Sequence, residues 1–215
     1  NLFLLGELNF DGQGPRNARF EETERRASRI QDWSLNAMRR ENLAADGFGQ
    51  KIFAAADAGE IVPEIAPLLI RSFLRGGLDT SSSTISAALY YLARDPSQYA
   101  LLREDPDRAR NAIEEAMRLE TPIPNVGRLT LKDEVVDGVR IPADSKLVIM
   151  LASANRDPEA WERPDEFDLT RSTFGHVALG FGIHMCVGQA IARLEGEMVL
   201  RALARHVVEI TLLEP

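Results

Sequence analysis

Cys186 is the only cysteine in the 215-residue chain, and it lies in LGFGIHMCVGQAIARLEGE, residues 179–197. Gly180, Gly182 and Gly188 crowd it, and His184 stands two residues ahead of it. A helical apolar pattern begins directly behind it. A thiol just before a helix meets unpaired N–H groups and the positive end of the dipole, which favour an anion. The thiolate is the form that serves as nucleophile or metal ligand. Glycines on either side let backbone approach something large and flat, or take φ > 0. His184 can donate a hydrogen bond to an anionic group nearby. Three kinds of site match these residues. One is a structural cysteine in a glycine turn, since cysteine is often buried. A second is zinc on Cys186, His184 and His176, for which one cysteine and three histidines are a thin supply, because structural zinc wants closely spaced pairs. The third is a thiolate on haem iron. A dinucleotide loop fails: after Gly180-x-Gly182 it needs glycine at 185, where Met185 stands.

Two other patterns carry carboxylates. Glu115-x-x-Arg118 lies in IEEAMRLETP, just ahead of a strand-like region. The same spacing recurs at Glu22 and Arg25 inside a run of charges, where a solvated i,i+3 pair is worth only about 0.2–0.5 kcal/mol. The second pattern, RGGLDTSSS at residues 75–83, interrupts a long helical stretch. Each glycine costs roughly 0.8–1.0 kcal/mol against alanine. Ser and Thr hydroxyls can bond back to i−4 carbonyls and bend the axis. A kink is therefore expected at Gly76-Gly77, with Asp79 and Thr80 beside it.

The elements that must hold these residues read as follows. Residues 19–42 form a charged amphipathic helix. GFGQKIFAAADAG is a short helix closed by Gly59. Residues 63–94 are helical over roughly 30 residues, well beyond the mean length; such a helix is expected to run through the middle of the fold, ended by Asp95-Pro96. Asp105 caps the next helix, Pro106 suits its first position and Pro122 stops it. VGRLTL, EVVDGVRI and SKLVIML are short strands separated by Asp-Gly and Pro-Ala turns. NRDPEAWERPDEFDLTR is a polar loop, residues 188–206 the last strong helix, and VVEITLLEP a terminal strand. The sum is mainly α with a small β component, an α+β class.

Composition agrees with a globular chain: 45% apolar and 27% charged. A net charge of −8 argues against a general nucleic-acid binder. A single cysteine forms no internal disulfide, which fits the reducing cytoplasm. No apolar run approaches the ~20 residues of a membrane span, and LFLLGEL is too short and lacks the basic flank of a signal peptide. The chain opens on Asn1 inside an apolar segment, so a piece of a longer protein is expected.

GFGIHMCVG resembles the haem-binding signature of the cytochrome P-450 superfamily, F-G-x-G-x-[HR]-x-C-x-G, with Leu179 where the family usually has the Phe that shields the sulfur. The resemblance implies haem b on Cys186 as proximal iron ligand, embraced by Gly180, Phe181, Gly182, His184 and Gly188. Glu115 and Arg118 are similar to the family's K-helix pair, which locks the fold around the haem loop. Its common third partner, an Arg in P-x-R-F, is Glu166 here in RPDEFD, so Arg163 or Arg171 is expected to substitute. Gly76-Gly77-Leu78-Asp79-Thr80 resembles [AG]-G-x-[DE]-T, the oxygen-binding groove. There dioxygen must receive two protons before its O–O bond breaks; Thr80 would hold the hydrogen-bond network and Asp79 would feed it. Arg128, His184 and His176 match family positions that serve the haem propionates. The substrate pocket would include Gly76, Gly77, Ile123 and Val126.

Order and spacing match over about residues 60–209 and more loosely upstream. The resemblance implies one partial domain, 1–215, the C-terminal portion of the P-450 fold with the N-terminal half absent. The implied reaction is monooxygenation, with electrons from NAD(P)H through a ferredoxin and its reductase. Arg193, Arg201 and Arg205 on the last helix could attract that acidic partner. GHVALGFGIHMCVGQAIARLEGE and RENLAADGFGQKIFAAADAGEI are similar to bacterial members that hydroxylate or O-demethylate para-substituted benzoates. The rival expectation is a fragment of such an enzyme that does not itself turn over.

Overall fold

The computed structural model describes residues 1–12 and 14–213, without the side chains of Phe3, Asn9 and Phe10. The chain divides into two compact units, Asn1–Thr80 and Ser81–Pro215.

The first unit holds α1 (Leu2–Asp11), α2 (Ala18–Ser28), α3 (Gln31–Ala37), α4 (Phe48–Asp57) and the start of α5 (Ala66–Arg94). Asn17 caps α2 by accepting from the Phe20 N–H at 3.0 Å. The single helix expected over 19–42 is instead broken into α2, α3 and a 3-10 turn, Arg40–Asn42. The reason is local. The Ser28 hydroxyl donates to the Arg25 carbonyl at 2.7 Å, and the N–H groups of Arg29 and Ile30 fall back three residues to Arg26 and Ala27, which ends the four-residue ladder. The core of this unit gathers Met38, Ile52, Ala56, Ala66 and Ile70, with Phe48 edge-on to Phe73 at 4.9 Å.

Helix α5 runs without a break through Gly76-Gly77. The hydroxyls of Ser72 and Thr80 do bond back, to Leu68 at 2.9 Å and Gly76 at 2.5 Å. They satisfy helix carbonyls without interrupting the ladder.

The second unit continues with α6 (Pro96–Glu104), α7 (Ala109–Glu120), β1 (Asn125–Leu129), β2 (Glu134–Val136), β3 (Val139–Ile141), β4 (Lys146–Met150), α8 (Leu151–Ala154) and α9 (Gln189–His206). Asp95 caps α6 through the Ser97 N–H at 2.9 Å, ahead of Pro96. Asp105 accepts from the Asp107 N–H before α7. Thr121 ends α7 in the left-handed region, φ 38, with Pro122 following. The small sheet component is two antiparallel pairs. In β1–β4 Asn125 stands opposite Met150, and in β2–β3 Glu134 stands opposite Ile141. The β2–β3 turn uses Asp137 and Gly138 at φ 49 and 79, the paired positive angles that Asp-Gly supplies.

Leu92, Leu102, Ile113, Leu169 and Leu200 form the core where α5, α6, α7 and α9 meet. Helix α9 lies close on α7: a Cβ on Gly196 would stand 2.6 Å from Ile113 Cδ1. The expected terminal strand is absent from 207–213. Tyr99 OH and Arg103 donate to the carbonyls of Val207 and Val208, at 2.8 and 3.3 Å, and side chains thereby take the place of strand partners. Glu214 and Pro215 lie outside the described residues. Among the described residues no helix is long and apolar enough to cross a membrane.

Candidate functional site

The cysteine lies in a tight turn that ends on α9. Cys186 N–H donates to the Leu179 carbonyl at 2.8 Å, which closes the turn at its neck. Inside it, Gly182–His184 is a 3-10 helix. Gly180 and Gly182 take φ 80 and 59. A Cβ on Gly180 would sit 2.3 Å from the His184 carbonyl oxygen, so any other residue there collides with the turn itself. A Cβ on Gly188 would meet Cys186 Sγ at 3.8 Å. Cys186 is a free, half-buried thiol, and Phe181, Ile183 and Val187 around it are 80%, 98% and 80% exposed. Leu179, in the place of the family's Phe, packs onto the α7–α9 core. His184 is exposed and Arg128 half-buried; Arg128 donates to the Gly127 carbonyl at 2.8 Å.

The Glu115–Arg118 pair is wholly buried, both side chains at 0% exposure. It is doubly bonded, Nε to Oε2 at 2.8 Å and an Nη to Oε1 at 2.9 Å, the fork geometry that makes such pairs strong. Arg118 spends its remaining donors on the carbonyls of Asn155, Pro164 and Glu166 at 2.8, 2.7 and 3.2 Å, and its guanidinium lies 5.2 Å over the Trp161 ring. The third member is Arg171: its Nε reaches Glu115 Oε1 at 2.9 Å, and its side chain is 8% exposed. Arg163 goes elsewhere, to Glu166 and Asp168 at 2.7 and 3.0 Å. The triad is complete, with Arg171 in place of the arginine missing at 166. By contrast Glu22–Arg25 pairs in the open, at 46% and 65% exposure.

Glu114, the neighbour of that pair, makes a second cluster that the sequence reading missed. Its Oε2 meets His176 Nε2 at 2.8 Å and its Oε1 meets Arg193 Nε at 2.5 Å. His176 Nδ1 accepts from the Ala178 N–H at 3.2 Å, so Nε2 carries the proton and donates to the carboxylate. Both ring nitrogens of His176, expected at a propionate, are therefore taken by the protein. That also removes the third ligand of the zinc alternative. Burial works to raise the Glu114 carboxyl, but the hydrogen bonds from His176 and Arg193 outweigh it and hold it below its ordinary value. Arg193, expected on a docking face, points inward instead, at 19% exposure. Arg201 is bridged to Glu197 and Asp107 at 2.9 and 2.7 Å.

Asn155 was missed as well. Buried to 1% exposure, it donates from Nδ2 to Thr121 Oγ1 at 2.9 Å and accepts the Val177 N–H on Oδ1 at 2.8 Å. It thus ties the end of α7 to the start of the cysteine turn. A signal existed: a polar amide opening a proline-rich loop, with no periodicity to explain it.

The second unit also has a groove of about 540 Å³ lined by Ser83, Ala87, Tyr90, Thr121, Pro122 and Pro124. Of the residues expected in a substrate pocket, Ile123 lies between the lining residues Pro122 and Pro124 and is 40% exposed, and Val126 follows them in the chain. The first unit holds Gly76, Gly77, Asp79 and Thr80. A Cβ on either glycine would meet nothing within 4 Å, so both leave open space beside α5. Burial raises the Asp79 carboxyl above its ordinary range, and the charges of Glu7 and Asp11 push it further.

A mainly helical unit with a glycine-framed thiol ahead of its last helix, braced by a buried Glu-Arg-Arg triad, is the arrangement of a haem-thiolate protein. The cytochrome P450 family model matches residues 64–207, and the chain belongs to that family. It is 48% identical to cytochrome p450 CYP199A2 of Rhodopseudomonas palustris over all of this chain and 52% of that protein. It is 38% identical to the 6-deoxyerythronolide B hydroxylase of Saccharopolyspora erythraea over 68% of this chain and 36% of that one. Among solved structures it is similar to cytochrome P450 CREJ, with a TM-score of 0.81, 25% identity and coverage of 99% and 56%. It is also similar to P450BioI in complex with an acyl carrier protein ligated with hexadec-9Z-enoic acid, with a TM-score of 0.79, 27% identity and coverage of 94% and 53%. The chain spans about half the length of CYP199A2 and about a third of the hydroxylase.

The family's prosthetic group is haem, and the donor set fits it. A soft thiol, with no hydrogen-bonding side chain on it among the described residues, stands among bare apolar side chains, which is what an iron with a flat hydrocarbon macrocycle requires. Arg128 and His184 are the side chains here that would hold its carboxylates.

Proposed function

We propose that this chain carries the haem-binding and proton-delivering half of a monooxygenase that inserts one atom of O2 into a small aromatic acid. The observation that carries the reading is the turn itself. Its neck bond, its two left-handed glycines and its free, half-buried thiol ahead of α9 present one sulfur to a ligand. Cys186 would bind the iron as thiolate, with the N-terminus of α9 stabilising the negative sulfur. Gly180, Phe181, Gly182 and Gly188 would frame the macrocycle, and Arg128 and His184 would hold its carboxylates. When bound, haem supplies oxygen activation and one-electron chemistry.

The chain's own contribution is protons and position. Thr80 Oγ1, already hydrogen-bonded to the Gly76 carbonyl, holds the network in the helix groove. The Asp79 carboxyl, raised by burial and by Glu7 and Asp11, keeps a proton to a higher pH than an exposed carboxyl and so can pass one on. Gly76 and Gly77 leave open space beside α5, where the family resemblance would put substrate. Two electrons arrive from NAD(P)H through a ferredoxin and its reductase in the cytoplasm.

A para-substituted benzoate is the substrate class. Two stretches resemble members acting on such acids, and the related CREJ is described in complex with (4-ethylphenyl) dihydrogen phosphate, also a para-substituted ring bearing an anion. The test is a spectral titration of the full-length protein with haem loaded. 4-Methoxybenzoate should displace the resting spectrum at lower concentration than unsubstituted benzoate. Equal midpoints would remove the para-substituted class, and failure to load haem would remove the enzyme reading.

A further inference from the structure

We propose that Glu114 is a positioning residue that clamps both arms of the cysteine turn and so fixes where the Cys186 sulfur points. The inference rests on the haem-thiolate reading for its purpose, and on geometry alone for its mechanics.

Glu114 and Glu115 are consecutive on α7, and each residue turns about 100° around a helix. They consequently serve different segments. Glu115 takes Arg118 and Arg171, and receives the Asp168 N–H at 3.2 Å, which fixes the irregular stretch ahead of the turn. Glu114 takes His176 on one oxygen and Arg193 on the other. His176 lies ten residues before Cys186 and Arg193 seven after it. The bonds from one carboxylate therefore close a loop of chain whose middle is the thiol.

The rest of the geometry supports a clamp. The side chains of His176, Glu114 and Arg193 are 4%, 12% and 19% exposed, so water competes little for these bonds. Each partner is oriented by a further contact. Ala178 N–H fixes the His176 tautomer, and Gln189 Oε1 takes a second Arg193 donor at 2.6 Å. Val177, next to His176, is pinned by Asn155 at 2.8 Å. Inside the clamp, the Cys186–Leu179 bond at 2.8 Å closes the turn. The same logic governs metal sites in general, where groups behind the ligand set its direction and their loss costs about 10–100-fold.

The experiment has two readouts. The first needs no haem: the rate at which iodoacetamide alkylates Cys186 in the 215-residue chain. Glu114→Ala should raise that rate. Glu114→Gln keeps the side-chain length but offers one acceptor oxygen to two donors, so it should hold only one arm and give a rate between wild type and Glu114→Ala. Adding His176→Ala and Arg193→Ala to Glu114→Ala should change little more, because the clamp is already open. Leu102→Ala, a core change on α6, controls for general loosening. The second readout is the ferrous carbonyl spectrum of the full-length protein, in which Glu114→Ala should move a share of the band from the thiolate position to the unshifted one. An alkylation rate in Glu114→Ala equal to wild type, or equal to Leu102→Ala, overturns the clamp and leaves the enzyme reading intact. Loss of the haem spectrum in the wild type overturns the enzyme reading and leaves the alkylation result to stand.

Discussion

At the scale of single residues, the buried triad sets the largest energetic stakes. Glu115 lies at 0% exposure between Arg118 and Arg171, which both bond its carboxylate. Removing Arg171 leaves Glu115 paired with Arg118 but takes away a charged hydrogen bond and the donors to the Glu162, Arg163 and Glu166 carbonyls, a loss of about 1.5–3 kcal/mol. Arg171→Ala should therefore lower the urea midpoint strongly. Arg163→Ala, whose side chain is 53% exposed, should cost at most about 1 kcal/mol. Equal losses would refute the assignment of the third partner. The sequence narrowed that partner to two arginines and no further. Both lie in a stretch without periodicity, and the choice depends on how the backbone returns to α7. Arg163 takes φ 47 and turns to Glu166 and Asp168, which leaves Glu115 to Arg171. Thr80 carries a separate prediction: Thr80→Ala in the loaded full-length enzyme should release peroxide in place of product, measured as peroxide formed per NAD(P)H consumed. Unchanged coupling would take Thr80 out of the proton path.

Helices and turns carry the next set of consequences. Periodicity and caps made α5, α6, α7 and α9 legible, along with the β2–β3 turn at Asp137-Gly138. Breaks made by side chains bonding to nearby backbone were not, which is why 19–42 reads as one helix and folds as three pieces. The terminal strand failed for a related reason, since Tyr99 and Arg103 reach its carbonyls from over a hundred residues away. Glu114 escaped notice because two adjacent acidic residues look like a solvated face; only the packing of α9 and the turn against α7 shows that Glu115 is buried and Glu114 mostly covered. Its titration gives a test at this scale. A carboxyl held below its ordinary 4.5 contributes stability that is fully present above that pH and lost as pH falls through the folded value. Glu114→Gln should therefore be less stable than wild type at neutral pH, and the gap should close below about pH 4.5. A gap independent of pH would contradict the charged clamp. Helix packing is tested by Gly196→Val: with a Cβ 2.6 Å from Ile113 Cδ1, overpacking should cost about 1–3 kcal/mol by thermal or urea unfolding.

For the molecule as a whole, the cysteine turn and its bracing belong to Ser81–Pro215, whereas Asp79 and Thr80 close Asn1–Thr80. The motif order along the sequence made the haem-thiolate family legible before any coordinate, and the family match over residues 64–207 agrees with it. What motifs could not supply was the wiring behind the sulfur, because hydrogen bonds between segments leave no mark on spacing. Phe181, Ile183 and Val187 stay bare beside Cys186, and the chain spans 52% of CYP199A2. Haem should accordingly bind the 215-residue chain more weakly than the full-length protein, as read by Soret titration. Equal affinity would show that the residues present here are enough to enclose the macrocycle.

The sulfur itself offers the most direct test. Full-length protein loaded with haem, reduced and exposed to carbon monoxide should show the red-shifted Soret band of a thiolate-ligated iron, and Cys186→Ser should abolish it. Persistence of that band in Cys186→Ser would contradict the account at its centre.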